Sequence, residues 1–119
     1  MIYGIGIEAI EIERFKKAGE RWGDRFYKRI FTRHELSYCL KKRSPHVHLS
    51  ARFAVKISVM KALNKPLGFK DIEVRRDAIG LPTVKLKRGA RGVKLKVSIT
   101  HDAGLSIAEA IAEKGALDR

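Results

Sequence analysis

The alternation of apolar and polar positions divides the chain into a mainly helical first part and a strand-like second part. Ile2–Ile7 alternates apolar residues with Gly4 and Gly6. This predicts either a strand approached closely by a backbone or ligand, or a glycine-weakened edge strand, with Glu8 ending it. Glu11–Arg21 has the period of a helix, with Ile12 and Phe15 inward and Arg14, Lys16, Lys17 and Arg21 largely outward. Gly23 closes that helix, and Asp24 opens a short one carrying Phe26, Tyr27 and Ile30. Thr32-Arg33-His34-Glu35 forms a capping box for a third helix through about Leu40.

Lys41–His48 (KKRSPHVH) reads as a loop, and the central helix follows over Ser50–Leu63, SARFAVKISVMKAL, with Ser50 as its N-cap. Phe53, Ile57, Met60 and Leu63 make its apolar stripe. Arg52 and Lys56 share a flank, and Lys61 lies one turn beyond Ile57. Taken alone, this is an amphipathic helix with solvated cations beside its buried face. After a turn at Asn64–Gly68, strands are predicted at Asp71–Arg75, Thr83–Leu86, Val93–Thr100 and Leu105–Ala112. Lys85, Lys87, Lys94 and Lys96 alternate with apolar residues and should face away from the core. The expectation is a single α+β domain spanning residues 1–119, with N-terminal helices packed on an antiparallel sheet.

Charge sharpens this picture. The 119 residues carry 26 Lys+Arg against 13 Asp+Glu, a formal net charge of +13. Such a field favours polyanionic partners: nucleic acid, phosphate-rich cofactors or acidic proteins. From Arg14 to Arg43 there are eleven Lys/Arg and only three acids, Glu20, Asp24 and Glu35. That stretch is either a solvated face or a docking surface for an acidic helical protein. No apolar run approaches a membrane span and no signal pattern opens the chain, so a cytoplasmic protein is expected.

The candidate chemistry is sparse when read residue by residue. The lone Cys39 excludes an internal disulfide and a cysteine-based zinc site, and fits a buried structural thiol. His46 and His48 form an H-x-H pair that reads as mobile surface histidines rather than metal ligands. Gly4-x-Gly6 lacks the third glycine of a dinucleotide fingerprint. Glu8, Glu11 and Glu13 suggest either a cation site or helix first-turn charges.

Five segments, in order, carry a resemblance. MIYGIGIEAIEIERF opens the chain, FYKRIFTRHEL follows, RFAVKISVMKA lies in the central helix, and FKDIEVRRDAIGLPTV and VSITH come after. In this order along nearly the whole chain, the sequence resembles the bacterial holo-acyl-carrier-protein synthases, the small trimeric 4'-phosphopantetheinyl transferases. The resemblance implies transfer of the phosphopantetheine arm of coenzyme A to a serine of apo-acyl carrier protein, giving the holo form used in fatty acid biosynthesis. It implies a homotrimer with sites between subunits, and Mg²⁺ or Mn²⁺ as cofactor.

The site residues implied by resemblance are as follows. Glu8 stands where the family has a magnesium-ligating aspartate, and with Lys61 makes the catalytic pair. Arg52, Lys56, Lys61 and His101 correspond to the residues that face the coenzyme A phosphates. Arg14 and Arg21, with Phe26 as an apolar contact, correspond to the helix that meets the carrier protein. The chain departs from the family at Ile57, where a second metal-ligating glutamate is expected, and at NKPLG, where a GTGIG-like loop is usual. Isoleucine neither binds Mg²⁺ nor accepts a proton. A weakened or silent paralogue that binds coenzyme A or carrier protein therefore stands as the alternative, and a charge-driven nucleic-acid binder as a third reading.

Overall fold

A computed structural model of the chain describes residues 1–88 and 92–115. In chain order the elements are β1 (Ile2–Glu11), α1 (Ile12–Ile30), α2 (Arg33–Cys39), α3 (Pro45–Leu63), a 3-10 turn (Phe69–Asp71), β2 (Ile72–Arg76), β3 (Pro82–Leu86), β4 (Val93–Asp102) and β5 (Leu105–Lys114). The α+β class is as expected, with the strands split into two antiparallel sheets: β1-β5-β4 and the hairpin β2-β3. Lys85, Lys87, Lys94 and Lys96 are all exposed.

Helix α3 lies across the larger sheet, and small residues set how closely. On β5, Ser106, Ala108, Ala110 and Ala112 alternate inward and are buried. On β1, a Cβ added at Gly4 would lie 1.9 Å from the Ala62 carbonyl oxygen, and one at Gly6 would lie 1.9 Å from that of Ser58. The glycines thus let a helix backbone rest directly on an edge strand, so both sequence readings of that strand hold. Val55, Val59, Ala62 and Leu63 complete the core with Ile72 and Val74. A second cluster, Phe15, Ile30, Phe31, Cys39 and Leu49, fixes α1 and α2 against the other side of α3.

Several boundaries and faces differ from expectation. β1 does not stop at Glu8 but pairs with β5 as far as Glu11↔Leu105. The expected loop at residues 41–48 ends early, because Pro45 starts α3 at N1 and places His46 and His48 on its first turns. Ser50 is therefore not an N-cap; it is buried inside the helix, its hydroxyl 2.8 Å from that of Ser106. Of the expected apolar stripe only Leu63 is buried, while Phe53, Ile57 and Met60 are half-exposed. The helix is enclosed on most sides, so its least buried apolar residues mark the open side rather than the core.

Other local expectations match. Gly23, at φ 64°, breaks α1 between the two predicted helices. The Thr32 side chain accepts from the Glu35 N–H, and the Glu35 carboxylate accepts from the Thr32 N–H. No helix among the described residues is long and apolar enough to cross a membrane.

Candidate active site

The cations of α3 do not form one group. Lys56 is fully buried, and its ammonium lies 2.8 Å from Glu35 Oε1, 2.9 Å from the Phe69 carbonyl and 2.6 Å from the Ile72 carbonyl. Three acceptors use all three N–H bonds, which requires the charged form even though burial lowers the Lys56 pKa against the pull of Glu35. The expected phosphate contact at Lys56 is therefore replaced by a structural one: this ammonium ties α2, α3 and β2 together and has no donor to spare.

Arg52 is also buried, at 2% exposure, but it is not satisfied. Its Nε has no hydrogen-bond partner, and its guanidinium lies over the Tyr38 ring, 4.5 Å from the centroid. Lys42 sits over the same ring at 4.4 Å. His101 on β4 pairs across the sheet with Ser106, which touches Ser50 of α3. Burial, and then the charges of Arg52, Lys42, Arg76 and His101, hold His48 below the ordinary histidine range. Burial alone would raise the Tyr38 hydroxyl, yet the Lys42 hydrogen bond and the charges of Arg76, Lys42 and Arg52 bring it down. Among the described residues, Arg52 and Lys42 share the Tyr38 ring, with the charges of Arg76 and His101 felt at the neighbouring His48, so positive charge collects beside an orphaned donor. That arrangement favours an anion with several oxygens.

A second centre lies near the other end of α3. The Lys61 ammonium donates to the Ile7 carbonyl at 3.0 Å and to Glu8 Oε1 at 3.3 Å, with the lysine side chain half-exposed. β1 runs past α3 with Gly4 against Ala62 and Gly6 against Ser58 and Lys61, which sets Glu8, the next residue on that face, beside Lys61, while Ile57 shares a cavity with the same lysine. The two expected catalytic residues are thus in contact. Position 57 supplies only hydrocarbon.

The donor set does not fit a protein-borne magnesium site. Mg²⁺ asks for near-octahedral oxygen ligation. Here a single carboxylate already faces an ammonium, and no group of three His, Cys, Asp or Glu residues able to hold an ion occurs among the described residues. The expected Glu8-bound metal thus lacks its remaining protein ligands.

The expected partner residues lie on and beside α1. Arg14 and Phe26 line one cleft of about 370 Å³ with Glu11, Phe15 and Phe53. Arg21 is exposed and stacks on Trp22, 4.9 Å from the ring centroid. A neighbouring cleft of about 410 Å³ is lined by Trp22, Arg25, Phe26 and Arg29. Sequence reasoning missed Trp22, 58% exposed, although a lone tryptophan amid arginines was the available signal. It also missed Tyr38, Lys42, His48 and Arg76; only their meeting in space around Arg52 gives them a role.

With this geometry in view, the chain can be set beside known proteins. Residues 4–111 match the model of the 4'-phosphopantetheinyl transferase superfamily. The chain is 41% identical over 110 residues to the holo-[acyl-carrier-protein] synthase of Thermodesulfovibrio yellowstonii, covering 91% of this chain and 96% of that protein. Its fold is similar to the crystal structure of the Neisseria meningitidis holo-[acyl-carrier-protein] synthase, with TM-score 0.87 and 28% identity, covering 96% of this chain and 100% of that one. It is likewise similar to the Bacillus anthracis enzyme in complex with coenzyme A (3',5'-ADP), with TM-score 0.83 and 30% identity over 97% and 99% of the two chains. A buried arginine with an orphaned donor, a carboxylate–lysine pair between β1 and the same helix and this degree of likeness converge: the chain belongs to the 4'-phosphopantetheinyl transferase superfamily and, within it, to the holo-[acyl-carrier-protein] synthases.

Proposed function

We propose that the chain transfers the 4'-phosphopantetheine group of coenzyme A to a serine hydroxyl of an apo-acyl carrier protein. The observation that carries this reading is the Arg52 site: a buried guanidinium with an unpartnered Nε, stacked with Lys42 on the Tyr38 ring. Coenzyme A offers two anionic centres, a 3'-phosphate and a pyrophosphate, and α3 offers two cationic centres. In the reaction the serine oxygen bonds to the pantetheine-bearing phosphorus and the bond from that phosphorus to the bridging oxygen breaks. Adenosine 3',5'-bisphosphate leaves, and the serine proton passes to base. Lys61 balances charge on the pyrophosphate, and Glu8, the carboxylate beside it, accepts the proton.

The two centres lie on opposite sides of α3. Nine residues separate Arg52 from Lys61, which is about two and a half helical turns. The 3'-phosphate and the pyrophosphate of coenzyme A hang on one ribose, too close together to straddle a helix about 10–12 Å across, so a complete site takes Arg52 from one subunit and Lys61 from the next. The outer face of β1 supports assembly: Ile5 and Ile7 are 59% and 57% exposed side by side on a sheet. These features support a homotrimer with inter-subunit sites. Arg14, Arg21 and Phe26, joined by Trp22 and Arg25, form the basic and apolar face that receives the acidic carrier protein. The reading places the chain in the cytoplasm, in keeping with its single unpaired cysteine.

Mass spectrometry of apo-acyl carrier protein incubated with the chain and coenzyme A tests the reaction. Gain of the phosphopantetheine mass is expected, and Arg52→Met should abolish it. Ile57 favours one second reading, a protein that binds coenzyme A without turnover. Intact coenzyme A binding with no mass gain would select that reading and refute the transferase.

A further inference from the structure

The mismatch between the donor set and a metal site points to a different way of neutralising the pyrophosphate. At the C-terminal end of α3 a shallow cavity of about 310 Å³ is lined by Ile57, Met60, Lys61, Asn64, Lys65 and Pro66. Two lysines and no acid line it, and the single carboxylate beside it, Glu8, is already paired with Lys61. Asn64, at φ 53°, ends the helix in the left-handed conformation, and the Lys65 N–H donates back to the Met60 carbonyl at 3.3 Å. That bond holds Lys65 beside the last turn. Lys61 spends two of its three N–H bonds on the Ile7 carbonyl and Glu8. The Lys65 ammonium has no hydrogen-bond or ion-pair partner among the described residues.

A divalent cation entering here would meet one carboxylate already matched by Lys61, a hydrocarbon side chain at Ile57, and the further positive charge of Lys65. A pyrophosphate diester, with one negative charge on each phosphorus, would meet two ammonium donors over the apolar floor of Ile57 and Met60. We propose that Lys61 and Lys65 together neutralise the coenzyme A pyrophosphate in this chain, with no divalent cation resident in the protein. The proposal rests on the reading of this site as a coenzyme A transferase. Lys65 becomes a phosphate-binding residue in place of the metal charge, and Ile57 keeps ions out rather than merely failing to hold one.

The test is binding measured on the full chain: calorimetry with coenzyme A in EDTA and in Mg²⁺, and paramagnetic resonance with Mn²⁺ alone. Coenzyme A should bind about equally in EDTA and in Mg²⁺, and Mn²⁺ alone should show no saturable site. Loss of one charge-assisted donor should weaken coenzyme A about tenfold in Lys65→Ala, with most of the affinity restored in Lys65→Arg. Ile57→Glu should create a Mn²⁺ site. Saturable Mn²⁺ binding by the unmodified chain that disappears in Glu8→Gln would overturn the proposal. So would coenzyme A binding that collapses in EDTA, or a Lys65→Ala variant that binds as the parent does. Any of these leaves the transferase reading intact, whereas absence of coenzyme A binding in every condition would sink that reading itself.

Discussion

Replacing Lys56 by methionine separates a structural cation from a phosphate ligand. The substitution keeps the length of the stem and removes the ammonium. Glu35 Oε1 and the carbonyls of Phe69 and Ile72 then lose their donor, all in a place with no solvent access to Lys56 or Glu35. Glu35 keeps the N–H groups of Thr32 at 2.9 Å and Val74 at 2.7 Å, but its charge is left without a counter-ion. Removing one partner of a buried pair costs about 3–5 kcal/mol. At roughly 4 °C per kcal/mol for a domain of this size, the midpoint should fall by about 12–20 °C. Thermal and urea unfolding followed by circular dichroism would read this directly. Glu35→Gln should also destabilise, and the double variant should lose less than the sum, because the two single changes remove the same contact. Below the new midpoint, the KM for coenzyme A should stay within about twofold of the parent value, since uniform binding of the substrate is untouched. A stability loss under about 1 kcal/mol, as for an exposed pair, would refute the argument. A large rise in KM at unchanged stability would return Lys56 to the phosphates.

Four further outcomes are expected. Gly6→Ala places a Cβ 1.9 Å from the Ser58 carbonyl and 2.9 Å from the Ala62 nitrogen, so β1 must lift from α3. A loss of about 3 kcal/mol by urea titration is expected, together with reduced transfer because Glu8 moves with the strand; a change within about 0.5 kcal/mol would contradict the close approach. Burial pushes the Cys39 thiol from 9.0 up to about 11, so the unfolded chain ionises first and stability falls as pH rises between those values. That contribution, worth up to about 3 kcal/mol, should make the loss between pH 8 and pH 10.5, read from urea midpoints, smaller in Cys39→Ala than in the parent, and an equal loss in both would refute the assignment. His48, held low by burial and by Arg52, Lys42, Arg76 and His101, should add stability as pH rises through its folded pKa towards the unfolded value of 6.5. An anion in the cluster should raise that pKa in an NMR titration with adenosine 3',5'-bisphosphate; an unmoved value would place the anion elsewhere. Finally, mixing inactive Arg52→Met and Lys61→Ala chains should restore about a quarter of the parent activity if each site draws on two neighbouring subunits of a trimer, and no recovery would place both residues in one subunit's site.

Much of the architecture was legible because its signals are local. The Thr32–Glu35 box, the break at Gly23 and the alternation along β4 each depend on neighbours within a few residues, and each is found in place. The start of α3 was misread because a loop-like composition, KKRSPHVH, contains a proline that suits the first helical turn as well as it suits a loop. The catalytic roles of Glu8 and Lys61 came from resemblance, and the structure adds their contact, with its reason: two glycines bring strand and helix together. The role of Lys56 was not legible from its own helix. Its partners lie on α2, in the 3-10 turn and at β2, and nothing within one turn of Lys56 announces them.

The misjudged stripe on α3 and the unusual residue at its edge have one physical origin. A helix enclosed by a sheet on one side and by two helices and a strand on the other cannot be read by a single amphipathic face. It is buried nearly all round, and its small residues, Ala54, Ser58 and Ala62, mark the closest packing against the sheet. The larger apolar residues Phe53, Ile57 and Met60 then fall where the enclosure opens, which is also where clefts form: Phe53 in the cleft beside α1, Ile57 and Met60 in the one beside Lys61. In such a helix a half-exposed isoleucine is not a core residue left out of place. It belongs to the site wall, and its chemistry decides what enters there. A carboxylate at that position would draw a cation towards Glu8. Hydrocarbon leaves the field to Lys61 and Lys65, so the residue that departs from the family pattern sets which charge meets the pyrophosphate.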